Sequence, residues 1–154
     1  MPETKEVSES IARPIPFMPN APLAERPATI LLVEDDPLVR EVMFETLVWA
    51  GYRVLKASNA AEARMVFRRC RRIVSLLLTD VVLPDQNGRS LAQELRQNEP
   101  FPKVILISGY PEHAVCGQAP ADDGILYLPK PFSADSLVQT VALALMPEKK
   151  DLAI

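Results

Sequence analysis

Four places in the chain carry residues whose types suit joint chemistry: Glu34-Asp35-Asp36, Asp80, Ser108 and Lys130. Each follows directly on an apolar run or its last residues, and nothing basic stands beside the first three acids. Carboxylates brought into one cleft raise each other's pKa unless a cation screens them. A ligand set of oxygens, without His or Cys, suits Mg²⁺ or Mn²⁺ rather than zinc. Mg²⁺ takes one or two carboxylates, keeps several waters and often completes its shell from phosphate oxygens. Acids of this kind therefore form half of a site whose other half is a phosphoryl group. Lys130 and Ser108 offer what that group needs, a point charge and a hydrogen-bond donor.

For these residues to meet, the runs before them must be neighbouring strands. Ile30–Val33 is continuously apolar, as a strand buried on both faces is. Asp36-Pro37 pairs an N-cap with proline at the first helical position. Leu38, Val39, Val42, Met43 and Leu47 follow at helical spacing, and Gly51 closes that helix. Tyr52–Ala57 reads as a second strand. Asn59 and Glu62 resemble a capping pair for a helix to about Cys70. Val74–Thr79 is a strand, Gly88–Asn98 a helix with Leu91, Ala92 and Leu95 inward, and Lys103–Ile107 a strand. A weak fourth helix is expected over Pro111–Ala119, interrupted by His113, Gly117 and Pro120. Ile125–Leu128 is a short strand, and Ser133 caps a last helix carrying Leu137, Val138, Val141 and Leu145. Five strands alternating with five helices predict an α/β fold, a parallel sheet covered on both faces. The cleft of such a sheet lies at the carboxyl ends of its strands, where the acids, Ser108 and Lys130 stand.

The 154 residues suit one domain, with a tail before it. Residues 1–27 hold six of the 15 prolines and are expected to be extended or disordered. Residues 28–146 form the folded unit, and 147–154 a short second tail. A net charge of −3 provides no field to attract nucleic acid or an acidic membrane. Cys70 and Cys116 lack metal-type spacing and read as reduced thiols. No signal peptide or membrane-spanning run is visible, so a cytoplasmic protein is expected. The run Arg68, Arg69, Arg71, Arg72 reads as a helix end favoured by the helix dipole. His113 reads as a surface residue, and Trp49 with the Phe44–Leu47 neighbourhood as core packing.

Taken in order, Val33-Glu34-Asp35-Asp36-Pro37, Thr79-Asp80-Val81-Val82-Leu83-Pro84-Asp85-Gln86-Asn87-Gly88, Ile107-Ser108-Gly109-Tyr110 and Leu128-Pro129-Lys130-Pro131-Phe132 resemble the four signatures of the receiver domain of bacterial two-component response regulators. The resemblance spans residues 28–146 and is of the single-domain type. It implies a flavodoxin-like sheet of order 2-1-3-4-5. It implies that Asp80 is the phosphoacceptor, taking a phosphoryl group from a phosphohistidine on a histidine kinase or phosphotransfer protein. It further implies Mg²⁺, with Mn²⁺ as a substitute, held by Asp35, Asp80 and the backbone carbonyl of Val82, with Glu34 acting through water. Lys130 would contact the phosphoryl oxygens, and the peptide joining it to Pro131 would be cis. Ser108 and Tyr127 would be the switch pair, reshaping the surface of the fourth helix, fifth strand and last helix for a downstream protein target.

Register leaves two metal pairs open, Glu34/Asp35 and Asp35/Asp36; capping by Asp36 favours the first. Val82 is apolar and Tyr110 bulky, so neither orients a hydrolytic water, and a long-lived aspartyl phosphate is expected. The expected chain is a phosphoacceptor rather than a turnover enzyme, and a monomer or a weak phosphorylation-dependent dimer. Two rivals stand beside it. A phosphatase of the haloacid dehalogenase type would need its nucleophile on the first strand and a later acid pair. A phosphorylation-independent adaptor would have lost one of the site residues.

Overall fold

Ile30, Leu31, Leu32 and Val33 have no solvent exposure, which a strand reaches only when both its faces are covered. The computed structural model describes residues 27–70, 72–97, 102–109 and 124–146. Among these, β1 (Thr29–Val33), β2 (Arg53–Ala57), β3 (Val74–Asp80), β4 (Lys103–Ser108) and β5 (Ile125–Pro129) form one sheet. Its order is β2-β1-β3-β4-β5, and every neighbouring pair is parallel. This is the flavodoxin-like order that the sequence signatures imply.

Four helices are described: α1 (Pro37–Trp49), α2 (Ala60–Cys70), α3 (Gly88–Leu95) and α4 (Ala134–Leu145). The helix expected over 111–119 lies outside the described residues, as do Tyr110, His113, Cys116, Arg71 and residues 1–26 and 147–154 of the two tails. What the sequence pattern counts as the fifth helix is therefore α4.

Strand residues alternate between two cores because successive side chains point to opposite faces. Leu31, Val33, Leu77 and Leu106 pack with Ala63 and Phe67 of α2 and Leu91, Ala92 and Leu95 of α3. Ile30, Leu32, Leu78, Ile105 and Ile107 pack with Met43 and Leu47 of α1 and Leu137 and Val141 of α4. Each fully buried Leu or Ile contributes about 1.5–3 kcal/mol relative to exposure.

The helix starts are built from local side chains. Asp36 accepts from Leu38 N at 2.9 Å and Val39 N at 3.2 Å, with Pro37 following it. Asn87 and Ser133 do the same for α3 and α4. At α2, Asn59 accepts from Glu62 N at 2.8 Å. Glu62 reaches back one residue further than a capping box requires, to Ser58 N at 2.6 Å. Ala50 caps the end of α1, and Gly51 follows it with φ +105°, a conformation that favours glycine.

The reading of Trp49 as core is corrected: it is 65% exposed, in line with Leu38 at 78% and Val42 at 64%. These three share one helical stripe, while Val39, Met43 and Leu47 face the sheet. Helix α1 is apolar on more than one side, so its periodicity alone does not reveal which stripe is covered. Among the described residues no helix is long and apolar enough to cross a membrane.

Candidate functional site

The register of the sheet carries the strand ends to one edge. Val33 stands beside Thr79, Asp80 beside Ile107, and Ser108 beside Pro129. Glu34 and Asp35 leave β1, Asp80 ends β3, Ser108 ends β4 and Lys130 follows β5. The residues singled out in the sequence thus meet there, with carboxylate oxygens of Glu34, Asp35 and Asp80 all within 4.8 Å of one another.

The two acids that end up buried are Glu34, 2% exposed, and Asp80, 5% exposed. Lys130 Nζ lies 3.0 Å from Asp80 Oδ1 and 3.2 Å from Oδ2, and 3.9 Å from Glu34 Oε1. Burial draws the Lys130 ammonium down, but Asp80, Glu34 and Asp35 more than offset this and hold it above its usual range. Its backbone N–H donates to Ser108 O at 2.8 Å, fixing the lysine beside β4. The Lys130–Pro131 peptide is cis.

Glu34 is held by its surroundings at three points. Its N–H donates to Ala57 O at 3.0 Å, its carbonyl accepts from Arg40 Nη1 at 2.7 Å, and its Oε2 accepts from Asp36 N at 3.1 Å. Its Oε1 is buried without a hydrogen-bond partner. Burial, and then the neighbouring Asp80, push the Glu34 carboxyl up to about 8; the Asp36 N–H and, less, Lys130 only partly counter this. A buried carboxylate oxygen without a donor, beside two further carboxylates, fits a hard cation. The arrangement can thus gather a divalent cation and present Asp80 as a nucleophile beside an ammonium. Asp36 points its oxygen into the start of α1 and is not among the clustered acids.

Between Asp80 and α3 the chain forms a loop whose backbone is closely tied. Val81 N donates to Ile107 O at 2.9 Å, and Gly88 N to Val81 O at 2.6 Å. Val82 and Asn87 form an antiparallel bridge, and the Val82 side chain is 58% exposed. A Cβ at Gly88 would lie 1.8 Å from Asp80 O, so no other residue fits there without moving the acceptor strand. Sequence reading places Gly88 at a helix start and at the end of the Thr79–Gly88 signature, and neither shows how closely its backbone approaches Asp80.

Of the other two named residues, Ser108 is buried. Tyr127 is half-buried against the α2/α3 core. Its ring carries the Arg89 guanidinium 5.3 Å from the centroid, and its hydroxyl is buried without a partner. Beside Lys130 an open groove of about 620 Å³ runs between α1 and the start of α4, lined by Leu38, Val42, Pro131 and Phe132 among others.

Comparison with known proteins meets this geometry. The family described as response regulator receiver domain matches residues 30–142. The sensor kinase CckA of Brucella abortus is 40% identical over 124 residues, which are 80% of this chain and 13% of that protein. The response regulator receiver protein CpdR of the same organism is 35% identical over 112 residues, 73% of this chain and 92% of the relative. The chain spans less than half the length of the first relatives it matches, 13%, 43% and 24%. Among solved structures, the response regulator protein TrrA of Thermotoga maritima in complex with Mg²⁺–BeF aligns with a TM-score of 0.66 at 28% identity, over 77% of this chain and 99% of that one. With its sheet order, its clustered acids and a match over most of its length, the chain belongs to the response regulator receiver domain family of two-component signalling.

Proposed function

We propose that residues 28–146 are a phosphoacceptor switch in which Asp80 receives a phosphoryl group from the phosphohistidine of a histidine kinase or phosphotransfer protein. The observation that carries this is the convergence of Glu34, Asp35 and Asp80 within 4.8 Å, with Lys130 Nζ 3.0 Å from Asp80. A carboxylate oxygen of Asp80 attacks phosphorus, the bond from phosphorus to the imidazole nitrogen breaks, and the freed imidazole takes up a proton from solvent. Asp80 needs charge relief and alignment rather than a base, since a free aspartate is already ionised at neutral pH.

Asp35, Asp80 and the Val82 carbonyl would hold Mg²⁺, or Mn²⁺ in its place, with Glu34 acting through water; the metal would neutralise charge gathering on the phosphoryl oxygens. Glu34 Oε1, buried without a hydrogen-bond donor, supports a cation in this position. Lys130 leaves its ion pair with Asp80 for the new phosphoryl oxygens, which carry more charge. Ser108 turns to the phosphoryl group and Tyr127 follows, altering the surface formed by β5 and α4. A downstream protein target reads that surface, and a weak dimer through it is the oligomeric change expected on phosphorylation.

The donor protein must bring its histidine against Asp80, so it covers the rim of the cleft. The apolar groove of Leu38, Val42, Pro131 and Phe132 adjoins Lys130 and suits a helical donor surface. The exposed, apolar Val82 side chain supports a slow loss of the phosphoryl group.

The test is intact-mass spectrometry after incubation with acetyl phosphate, with and without Mg²⁺. We expect a Mg²⁺-dependent gain of one phosphoryl group, absent in Asp80→Asn. No gain under any condition, or an undiminished gain in Asp80→Asn, overturns the assignment.

A further inference from the structure

The loop between Asp80 and α3 is anchored at a place that plays no part in the chemistry described so far. The Asp85 carboxylate spans the first two backbone donors of α2: Ala60 N donates to Oδ1 at 2.9 Å and Ala61 N to Oδ2 at 3.0 Å. Asn59 meets the next donor, its side chain accepting from Glu62 N, while its carbonyl accepts the first ordinary helical bond, from Ala63 N. Three of the N–H groups that open the helix without an internal partner are thus divided between local Asn59 and Asp85, 25 positions from Ala60. Ala60 is fully buried, so its N–H needs an acceptor; drawing that acceptor from 25 positions away also ties the distant segment to α2.

What Asp85 holds is its own loop. The loop is also tied by Val81 N to Ile107 O and, across its ends, by Gly88 N to Val81 O. Its middle carries Val82, whose backbone carbonyl faces the role of metal ligand under the reading above. Beside Asp85, Gln86 takes a hydrogen bond from Arg64 of α2, and Arg64 also pairs with Glu94 of α3 at 3.4 Å. The hydrogen bonds from Ala60 and Ala61 hold the Asp85 carboxyl below its usual range, so it is charged while it makes them.

We infer that Asp85 is a positioning residue for the phosphoacceptor site: by gripping the start of α2 it fixes the loop after Asp80, and with it the Val82 carbonyl. The inference rests on the proposed reading of the site as one that holds Mg²⁺. Groups that orient metal ligands without touching the metal commonly change affinity by about 10–100-fold when removed.

The experiment compares the full chain with Asp85→Ala and with Asn59→Ala, which removes a side-chain cap from the same helix and leaves the loop tied. Mg²⁺ affinity is read by amide NMR titration, and amide hydrogen exchange of residues 81–87 is read in the metal-free protein. Asp85→Ala is expected to bind Mg²⁺ about tenfold more weakly and to exchange faster across the loop. Asn59→Ala is expected to lower Tm comparably while leaving both unchanged. Should Asp85→Ala not fold, Asp85→Asn, which keeps one acceptor oxygen, is expected to bind Mg²⁺ more weakly than the parent and to exchange faster across the loop. An Asp85 variant with parental Mg²⁺ affinity and loop exchange overturns the inference and leaves Asp85 a helix cap alone. A parent chain that takes up no Mg²⁺ overturns the reading of the site itself, and the positioning role with it.

Discussion

The chain leaves β1 and β3 side by side at one sheet edge, yet the two exits are made in different ways. After β1, Glu34, Asp35 and Asp36 pass straight into α1, and the exit keeps a buried carboxylate oxygen without a donor. After β3, a longer loop satisfies its backbone through Ile107, Gly88 and Asn87, and its Asp85 side chain accepts from the start of α2. The first exit concentrates acids, one of them held protonated by burial; the second supplies a rigid frame. A site that waits for a cation and an anion needs both, because charge without a frame is hydrated and a frame without charge has nothing to bind.

The largest effect should come from breaking the frame. Gly88→Ala places a carbon against the Asp80 carbonyl, and we expect a loss of at least about 2–3 kcal/mol in urea unfolding, with phosphoryl uptake falling alongside. A variant as stable as the parent would show that the loop yields. The charged exit should show itself next, through pH. Folded Glu34 keeps its proton up to about 8, where the unfolded chain has lost it by its ordinary value of 4.5. Between those limits the folded state binds more protons, so metal-free stability falls as pH rises through the window. Thermal melts across that window check the slope; Glu34→Gln should flatten it, and Mg²⁺ added near the upper limit should restore stability. The smallest effect belongs to Asp36→Ala, which removes the cap of α1 at about 1 kcal/mol. Its Mg²⁺ affinity should stay at the parental level; a marked loss would shift the metal pair to Asp35/Asp36.

Much of this was readable in the residues. The continuous apolar runs give five strands, and Asp36-Pro37 marks the start of α1 within a residue because a cap and a proline act locally. Lys130, Ser108 and Asp80 could be gathered on paper because each ends or follows a strand. The inward stripe of α1 could not, since Leu38, Val42 and Trp49 are as apolar as the residues that face the sheet. The second cap on α2 was also hidden, because Asp85 is as ordinary in a loop as Asn59 is at a helix start.

What the sequence by itself determined was the set of elements, their alternation and the residue types at the strand ends, all set by short-range patterns of burial, capping and backbone preference. Only the tertiary structure decided which acid of Glu34-Asp35-Asp36 is buried, that Gly88 must lack a Cβ, and that Asp85 reaches α2. Those outcomes depend on distances between segments far apart in the chain, which no local pattern encodes. Two carboxylates become a raised pKa, and a loop aspartate becomes an anchor, only when packing sets them a few ångströms from their partners.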